Sequence, residues 1–408
     1  MTARAVAALV LVLAGAILGV PAVAVLGIVA LTVEIVHAIW KARGLDGVRY
    51  VRHLATNRLP WGEDLPLAIE VWNRKGLPLS WLRVDDATSL ELTVRERPTI
   101  ETDQLGVTLR NTWTLAPYER VTRHLRLTSR RRGVYGLGPA TVSVGDLFAR
   151  SAAMVELPRV DSVVVLPRTV PTTAPVRPDR WGDADRAVHG LLEDPSRFAG
   201  IRPYAPGDPI RRVHHRLSAR LREPVTKRFE PSRRRDVLIA LDLQVSRGPS
   251  WSLSIDDDAI EGLFVVAASI VRALAAEHTA FGLTAAGFAG SPRRFADIPV
   301  SSSPGQAERV LELLARLASS ANARYETLLA RIERRIPDGT TVLALTARDP
   351  RPFATAFRRL ERAGFDVVVV AAGPDAAANA AAARGAGFSV RAAVLDGPWP
   401  SATTLAVG

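Results

Sequence analysis

The stretch VLIALDLQVS, residues 237–246, joins a continuous apolar run to polar side chains that follow it directly. An unbroken apolar run is typical of a strand that is covered on both faces, as in a parallel sheet. In such sheets ligands bind outside the carboxyl ends of the strands, which is where Asp242 and Ser246 lie. The stretch therefore predicts an α/β fold and marks a first candidate site.

Downstream of this strand, helical and strand patterns alternate almost to the end of the chain. Helices are predicted over 256–278, 305–318, 325–336, 352–363 and 375–384, and strands over 280–286, 340–345, 366–371 and 388–394, with an extended piece near 295–300. Asp256–Asp258 favour the positive end of the first of these helices. The alternation predicts a parallel, doubly wound α/β sheet, and residues 236–408 are assigned to this domain.

Upstream, residues 48–167 contain short alternating segments separated by turn signals and no helical periodicity. Strands are predicted at 65–72, 90–97, 107–115, 120–127 and 140–144, and residues 130–139 are interpreted as a charged, glycine-rich connection. Short strands at regular spacing predict an all-β sandwich. Arg130–Arg132 are interpreted as a solvated loop, with a grip on phosphate or on an acidic partner as the alternative.

The N-terminal residues 5–40 are apolar, and their only ionisable side chains are Glu34 and His37. The run is too long for the single span of about 20 residues that a bilayer requires. Gly19-Val20-Pro21 interrupts it, which predicts helices over 5–18 and 22–40 and a transmembrane helical hairpin within residues 1–43. A signal peptide is the competing interpretation, but the second apolar stretch would still anchor the chain after cleavage.

Basic residues flank the apolar run and indicate its orientation. Arg4 precedes it, and Lys41, Arg43, Arg49, Arg52 and Arg58 follow it. The hairpin makes the chain a predicted multi-pass protein of the cell membrane. The positive-inside bias then places its large soluble part in the cytoplasm. Glu34, about one turn from the interface, is interpreted as reaching the headgroups or pairing with His37.

Composition narrows the chemistry. The chain has no cysteine, which excludes disulfides, thiolate metal sites and cysteine nucleophiles. The net charge of +12 suits anionic partners, including a membrane surface, nucleic acid or an acidic protein. No phosphate-binding P-loop is present. The arginine clusters 130–132 and 233–235 lack interleaved aromatic residues, so specific nucleic-acid binding is not predicted.

Residues 168–235 are assigned to a linker followed by the densest motif of the chain, residues 198–220. A hydrolase would use Ser218 as its nucleophile, a histidine base and Asp208 as the orienting carboxylate. His214 and Ser218 would share a face of a helix over 211–221, which is equally consistent with packing. Adjacent histidines rarely face one ion, so His214, His215 and Asp208 are not assigned to a metal.

The motif is similar to that of the bacterial proteins called domain of unknown function family 58. The matching residues are Gly200, Arg202, Tyr204, Gly207, Asp208, Arg211, Val213, His214, Ala219 and Arg220, with His215 where the family usually has tryptophan. Residues 131–139 match a second family element, Arg-Arg-Gly-x-Tyr-x-Leu-Gly-Pro, and 145–148 resemble its Asp-Pro-Phe with Leu147 in place of proline.

The resemblance implies a membrane hairpin, an immunoglobulin-like β domain and a von Willebrand factor A-like α/β domain. It also implies an adaptor, rather than an enzyme, that works with a MoxR-type AAA+ ATPase in chaperone-like assembly or maturation of other proteins. The alternative function is a hydrolytic enzyme using Asp208, His214 and Ser218. The family motif itself is interpreted as a structural joint or an interaction element.

The resemblance also bears on metal binding. Von Willebrand factor A domains hold a divalent cation with Asp-x-Ser-x-Ser after their first strand. Asp242 and Ser246 match that motif, but Gln244 replaces its middle serine. Oxygen ligands at this position would suit Mg²⁺. The alternative is that Asp242 caps a loop or pairs with a nearby arginine, since the next strand end has no acidic residue before Asp349.

Overall fold

The computed structural model describes residues 3–95, 100–103, 106–146, 151–174, 176, 192–205, 213–232, 236–247, 254–290, 294–337 and 339–408. Their contacts divide the chain into two compact units, Met1–Leu166 and Pro167–Gly408.

The first unit begins with two apolar helices, α1 (Ala3–Ile17) and α2 (Pro21–Arg43). A Cβ atom added to Gly15 would lie 2.3 Å from the backbone nitrogen of Ala24. One added to Gly27 would lie 2.6 Å from a backbone nitrogen of α1. The two helices therefore pack backbone to backbone at glycines, as small residues permit in membrane helix pairs. This is the helix pair that the interrupted apolar run predicts.

Two helices of the described chain are long and apolar enough to cross a membrane, α2 and the helix Asp257–Ala276 of the second unit. In the latter, 67% of the apolar window is buried, as in the core helix of a globular domain. In α2 only 6% is buried. The helix α2, with the shorter α1 beside it, is therefore the possible membrane-crossing segment of this protein.

The rest of the first unit is all-β, as the sequence predicts. Its strands are β1 (Val48–Leu54), β2 (Arg58–Leu59), β3 (Asp64–Asn73), β4 (Leu79–Thr88), β5 (Thr93–Val94), β6 (Ile100–Asp103), β7 (Gly106–Leu115), β8 (Arg120–Thr128), β9 (Gly133–Leu137), β10 (Ala140–Gly145), β11 (Ser151–Leu157) and β12 (Asp161–Val165). They form antiparallel sheets of order β1-β3-β8-β5 and β11-β10-β4-β7-β6, and a small mixed sheet of order β2-β12-β9.

The two antiparallel sheets share one hydrophobic core. Along β3 the buried apolar residues are Leu65, Leu67, Ile69 and Val71, so every second side chain faces inward. This is the period of a strand with one face buried. Inward-facing residues of β4, β7 and β10 meet them in the same core, which is the arrangement of a β-sandwich.

Two strand predictions in this unit are wrong. Of the described residues in the predicted strand 90–97, only those of β5 are in a strand. The residues before β5 form a turn, in which the N–H of Leu92 donates to the carbonyl of Ser89. Residues 133–137, interpreted as a connection, form β9. The sequence pattern also missed β4, because its acidic residues Asp85 and Asp86 are uncommon in strands.

Asp86 is tolerated in β4 because it is buried with partners. Its carboxylate accepts hydrogen bonds from Arg52 Nη1 at 2.7 Å and from the Tyr50 hydroxyl at 2.5 Å. Arg52 Nε also donates to Asp161 Oδ2 at 2.9 Å. Burial raises the pKa of Asp86, although Tyr50 and Arg52 both oppose the shift. Arg52 was counted among the basic residues that flank the membrane run, but its charge is used inside the β region.

A second buried carboxylate connects α2 to the β region. Asp146 is fully buried, and its Oδ2 is hydrogen-bonded to His37 Nδ1 at 2.8 Å. Lys75 Nζ donates to the carbonyl of Gly44 just beyond α2, and a Cβ atom on Gly44 would lie 2.7 Å from Val144. His37 therefore has a partner 109 residues away, while its pairing with Glu34 stays a prediction.

The second unit contains the strands and helices of an α/β domain. The strands are β13 (Leu192–Pro203), β14 (Val225–Ser232), β15 (Val237–Leu241), β16 (Ser246–Arg247), β17 (Ser254–Ile255), β18 (Phe281–Ala285), β19 (Ala296–Ser301), β20 (Thr341–Thr346), β21 (Asp366–Ala371), β22 (Val390–Leu395) and β23 (Leu405–Val407). The helices are α3 (His215–Leu221), α4 (Asp257–Ala276), α5 (Gln306–Arg316), α6 (Tyr325–Arg335), α7 (Ala354–Arg362) and α8 (Ala376–Gly385).

The central sheet has the order β19-β18-β15-β20-β21-β22-β23. Its inner strands are parallel, and the two outer strands β19 and β23 are antiparallel to their neighbours. Every residue of β15 is buried, as its continuous apolar sequence predicts. The predicted alternation of strands and helices is confirmed, while β23 was missed because it is only a short edge strand.

The beginning of the predicted linker is attached to this unit. Thr172 bridges Leu405 of β23, and Arg168 Nη2 donates to the carbonyl of Ala402 at 2.5 Å. The N–H of Val170 donates to Ser269 Oγ on α4 at 3.0 Å. Residues 168–173 therefore follow the surface of the α/β domain.

Gly145, the first residue of the stretch 145–148 that resembles the family's Asp-Pro-Phe, is required by packing. A Cβ atom there would lie 1.9 Å from the Trp81 ring. We expect Gly145→Ala to lower the free energy of unfolding by about 1–3 kcal/mol, the usual result of overpacking a core. Gly76→Ala is the matched control, because its added Cβ would meet the Tyr118 hydroxyl at an ordinary 3.6 Å. Denaturant unfolding of both variants in detergent tests this; equal stability of the two would contradict it.

Candidate functional site

The order of strands in the central sheet marks one edge as the place for a site. The strand β15 comes first in the parallel sheet, and its successor β18 lies on one side while β20 lies on the other. The direction of strand addition therefore reverses between β15 and β20. In open α/β sheets, ligands bind beyond the carboxyl ends of the strands at this reversal. Asp242 directly follows β15 at that position, and Thr346 ends β20.

The carboxylate of Asp242 is fully buried and has four hydrogen-bond donors. Its Oδ2 accepts from Arg348 Nε at 2.8 Å and from Thr346 Oγ1 at 2.8 Å. Its Oδ1 accepts from Arg348 Nη2 at 3.0 Å and from the backbone N–H of Gln244 at 3.0 Å. A buried carboxylate is costly unless it is paired and hydrogen-bonded, and the two-point contact with Arg348 satisfies both conditions.

Gln244 and two aromatic residues hold this ion pair in place. The side-chain oxygen of Gln244 accepts from the N–H of Tyr325 at 3.0 Å and from Arg348 Nη2 at 3.3 Å. The Tyr325 hydroxyl donates to the carbonyl of Ala240 at 2.9 Å. The guanidinium of Arg348 lies 4.7 Å from the ring centroid of Phe353, in cation–π contact.

Tyr325 is a neutral hydrogen-bond donor in this arrangement. Burial raises the pKa of its hydroxyl well above the usual value, and the negative charge of Asp242 raises it further, while Arg348 acts in the opposite direction. The hydroxyl therefore keeps its proton and supports the strand end rather than taking part in proton transfer.

Of the two predicted Mg²⁺ ligands, Asp242 is described, and its carboxylate is already paired in this arrangement. Both oxygens of Asp242 accept from Arg348, and the side chain of Ser246 lies outside the described part of the chain. Asp349 is occupied as well, because its carboxylate accepts from the Arg351 side chain, whose hydrogen bonds lower the pKa of Asp349. Among the described residues, no cluster of three or more histidine and acidic side chains could hold a metal. The geometry favours the arginine-paired alternative.

The described residues of the family motif support the backbone of a hairpin. The strands β13 and β14 pair antiparallel, with Gly200 opposite Arg228. Gly200 has φ of +148°, which disfavours any side chain there. The N–H of Tyr204 donates to the carbonyl of Pro224 at 2.9 Å. Arg202 lies on β13 and Arg220 on α3, whereas Gly207, Asp208 and Arg211 lie outside the described residues.

His214 and Ser218 each contact backbone groups. His214 is the residue before α3, and its Nδ1 accepts from the N–H of Leu217 at 3.4 Å. Ser218 Oγ accepts from the N–H of Val225 at 2.9 Å. The described members of the hydrolase cluster thus attach α3 to β14 and cap the helix, which favours a structural role for them.

The sequence missed the residue that completes the site. Arg348 lies 106 positions from Asp242, so no local pattern links the two. The available signal was a cation directly after the strand end where an acidic residue was expected.

Residues 200–351 match the family described as "Protein of unknown function DUF58", and this range includes both the motif from Gly200 and the strand edge with Asp242 and Arg348. The match supports the resemblance to this family over residues 200–351. A search of the curated proteins finds no match.

Solved structures resemble a smaller part of the chain. The CARDB domain of a Pyrococcus furiosus protein is 14% identical over 29% of this chain and 91% of its own, with a TM-score of 0.20. Trypsin-activated alpha-2-macroglobulin of Escherichia coli is 18% identical over 29% of this chain and 7% of its own, with a TM-score of 0.20. A cohesin module of a Clostridium perfringens glycoside hydrolase is 12% identical over 28% of this chain and 96% of its own, with a TM-score of 0.19.

The ion pair predicts a stability difference between two aspartates. Asp242→Asn should lower the free energy of unfolding by about 1–3 kcal/mol, because a charged hydrogen bond to Arg348 is lost in a buried place. Asp349→Asn is the matched control, since its partner Arg351 is exposed and surface pairs contribute little. Denaturant unfolding of the two variants measures the difference. A larger loss for Asp349→Asn would show that the buried pair does not stabilise the strand end.

Proposed function

We propose that this protein is a membrane-anchored adaptor that binds other proteins. In this proposal the β-sandwich is immunoglobulin-like and the α/β domain is von Willebrand factor A-like. The expected partner is a MoxR-type AAA+ ATPase, and the expected task is chaperone-like assembly or maturation of client proteins. The protein itself performs no chemical step.

One observation carries this proposal: the strand edge at the reversal of the central sheet presents a fixed arginine. Arg348 is 32% exposed, while the Asp242 beneath it has no exposed surface. A charged side chain that is held on one side by a buried ion pair and open on the other is suited to recognising a partner. Near the described hairpin, the side chains of His214 and Ser218 accept hydrogen bonds from backbone N–H groups, so no observation there favours the hydrolytic alternative.

The helix pair supports the anchoring part of the proposal. The helix α2 is apolar, only 6% of its apolar window is buried, and it packs closely on α1 through glycines. The contact of His37 with Asp146 attaches the end of α2 to the β-sandwich. Lys41 and Arg43 in the last turn of α2 favour a cytoplasmic location for the domains that follow.

The absence of cysteine permits a direct test of topology. In a hairpin, Leu18 between the helices lies across the membrane from Ser302 on the α/β domain, and both residues are exposed. We expect a membrane-impermeant maleimide to label Leu18→Cys in intact cells, and to label Ser302→Cys only after permeabilisation. Labelling of Ser302→Cys in intact cells would contradict the cytoplasmic orientation.

Co-purification tests the partner. The tagged full chain, extracted from native membranes in mild detergent, should capture an AAA+ ATPase that then co-elutes with it as a complex in gel filtration. Untagged membranes provide the background. Absence of any ATPase, together with ester or amide hydrolysis that Ser218→Ala abolishes, would replace the adaptor with the hydrolase.

A further inference from the structure

The guanidinium of Arg348 has one nitrogen, Nη1, that does not donate to the residues holding the ion pair. Arginine has five N–H donors in a plane. Nε donates to Asp242, and Nη2 donates to Asp242 and Gln244. No acceptor for Nη1 is found among the residues that the structure describes. The two N–H groups of Nη1 therefore remain as donors on a side chain that is 32% exposed.

The donor group is held rigidly before any partner arrives. The two-point contact with Asp242 fixes the plane of the guanidinium, and the ring of Phe353 covers it at 4.7 Å. Fixing a group in its binding conformation lowers the entropy lost on association. Arg331 on α6 has similar support from Asp297 and Phe295, but Arg348 has it at the carboxyl edge of the parallel sheet.

An exposed aromatic side chain lies at the same edge of the sheet. The strand β18 neighbours β15 in parallel register, with Ala285 opposite Leu241, and Phe288 follows shortly after β18. Phe288 is 49% exposed, while its carbonyl accepts from the N–H of Ala318 at 2.8 Å. The edge thus carries an apolar side chain after β18 and a fixed cation after β20, with β15 between the two strands. This combination suits a peptide segment that has both an acidic and an apolar residue.

Resting on the adaptor function, we propose that Arg348 takes the place of a metal ion at this edge and directly binds an aspartate or glutamate of a partner protein. The partner's carboxylate accepts from Nη1, and an apolar neighbour packs on Phe288. Because Nε and Nη2 already donate to Asp242, the partner's carboxylate is held by charge-assisted hydrogen bonds from Nη1 alone. Recognition at this site needs no divalent cation, because the guanidinium already neutralises Asp242.

The test uses the full chain in detergent and a phage-displayed library of random peptides, panned in buffer containing EDTA. Enriched peptides should contain an Asp or Glu whose change to Asn or Gln weakens binding at least about tenfold, as expected for loss of a charged hydrogen bond. Arg348→Gln should weaken binding by a similar factor. Arg351→Gln, which removes the same charge three residues away, should leave binding unchanged.

A second variant separates recognition from folding. Arg348→Gln leaves the buried Asp242 without its cation, so the double variant Asp242→Asn/Arg348→Gln removes both charges together. It should unfold cooperatively and still lack peptide binding. A folded double variant that binds the acidic peptides like the wild type would overturn the proposal.

The remaining outcomes are equally decisive. Peptide binding that EDTA abolishes and Mg²⁺ restores would show that a metal, and not Arg348, receives the carboxylate. Enriched peptides that bind independently of Arg348 would contradict this site while leaving the adaptor function intact. If no peptide is enriched although an ATPase co-purifies, the edge does not recognise acidic segments; if both fail, the adaptor function fails as well.

Discussion

The ion pair between Asp242 and Arg348 is the interaction on which the α/β domain's carboxyl edge depends. A carboxylate without exposed surface must find a cation, and the strand order supplies one by placing β20 beside β15. The same pair then orients Gln244, which connects to the start of α6, and Phe353, which covers the guanidinium. A single buried charge thus organises side chains from three separate parts of the sequence.

In the first unit, two further buried carboxylates are paired with basic side chains. Asp86 is buried in the β-sandwich against Arg52, and Asp146 is buried against His37 of the apolar helix pair. Each carboxylate lies on a strand or directly after one, and each partner comes from another element. Arg52 and Arg348 each pair with a buried aspartate, so an arginine of this chain is not by its residue type alone available to an anionic partner.

How much the sequence could predict differs between the two units. The alternation after residue 237 was predictable, because strands covered on both faces are continuously apolar and helices carry an apolar stripe. The strand β4 was not, since Asp86 is compatible with a strand only through Arg52, 34 residues away. The choice between a metal and an arginine at Asp242 also depended on a distant residue. Local pattern predicts elements, while long-range charge pairing decides sites.

An experimental structure of the full chain, determined in the presence of Mn²⁺, is the most direct test of this account. Mn²⁺ prefers the same oxygen ligands as Mg²⁺ and is located by its anomalous scattering. The account predicts two-point contact between Arg348 and Asp242, and no manganese at the strand edge. A manganese ion coordinated by Asp242, with Arg348 turned away, would contradict it.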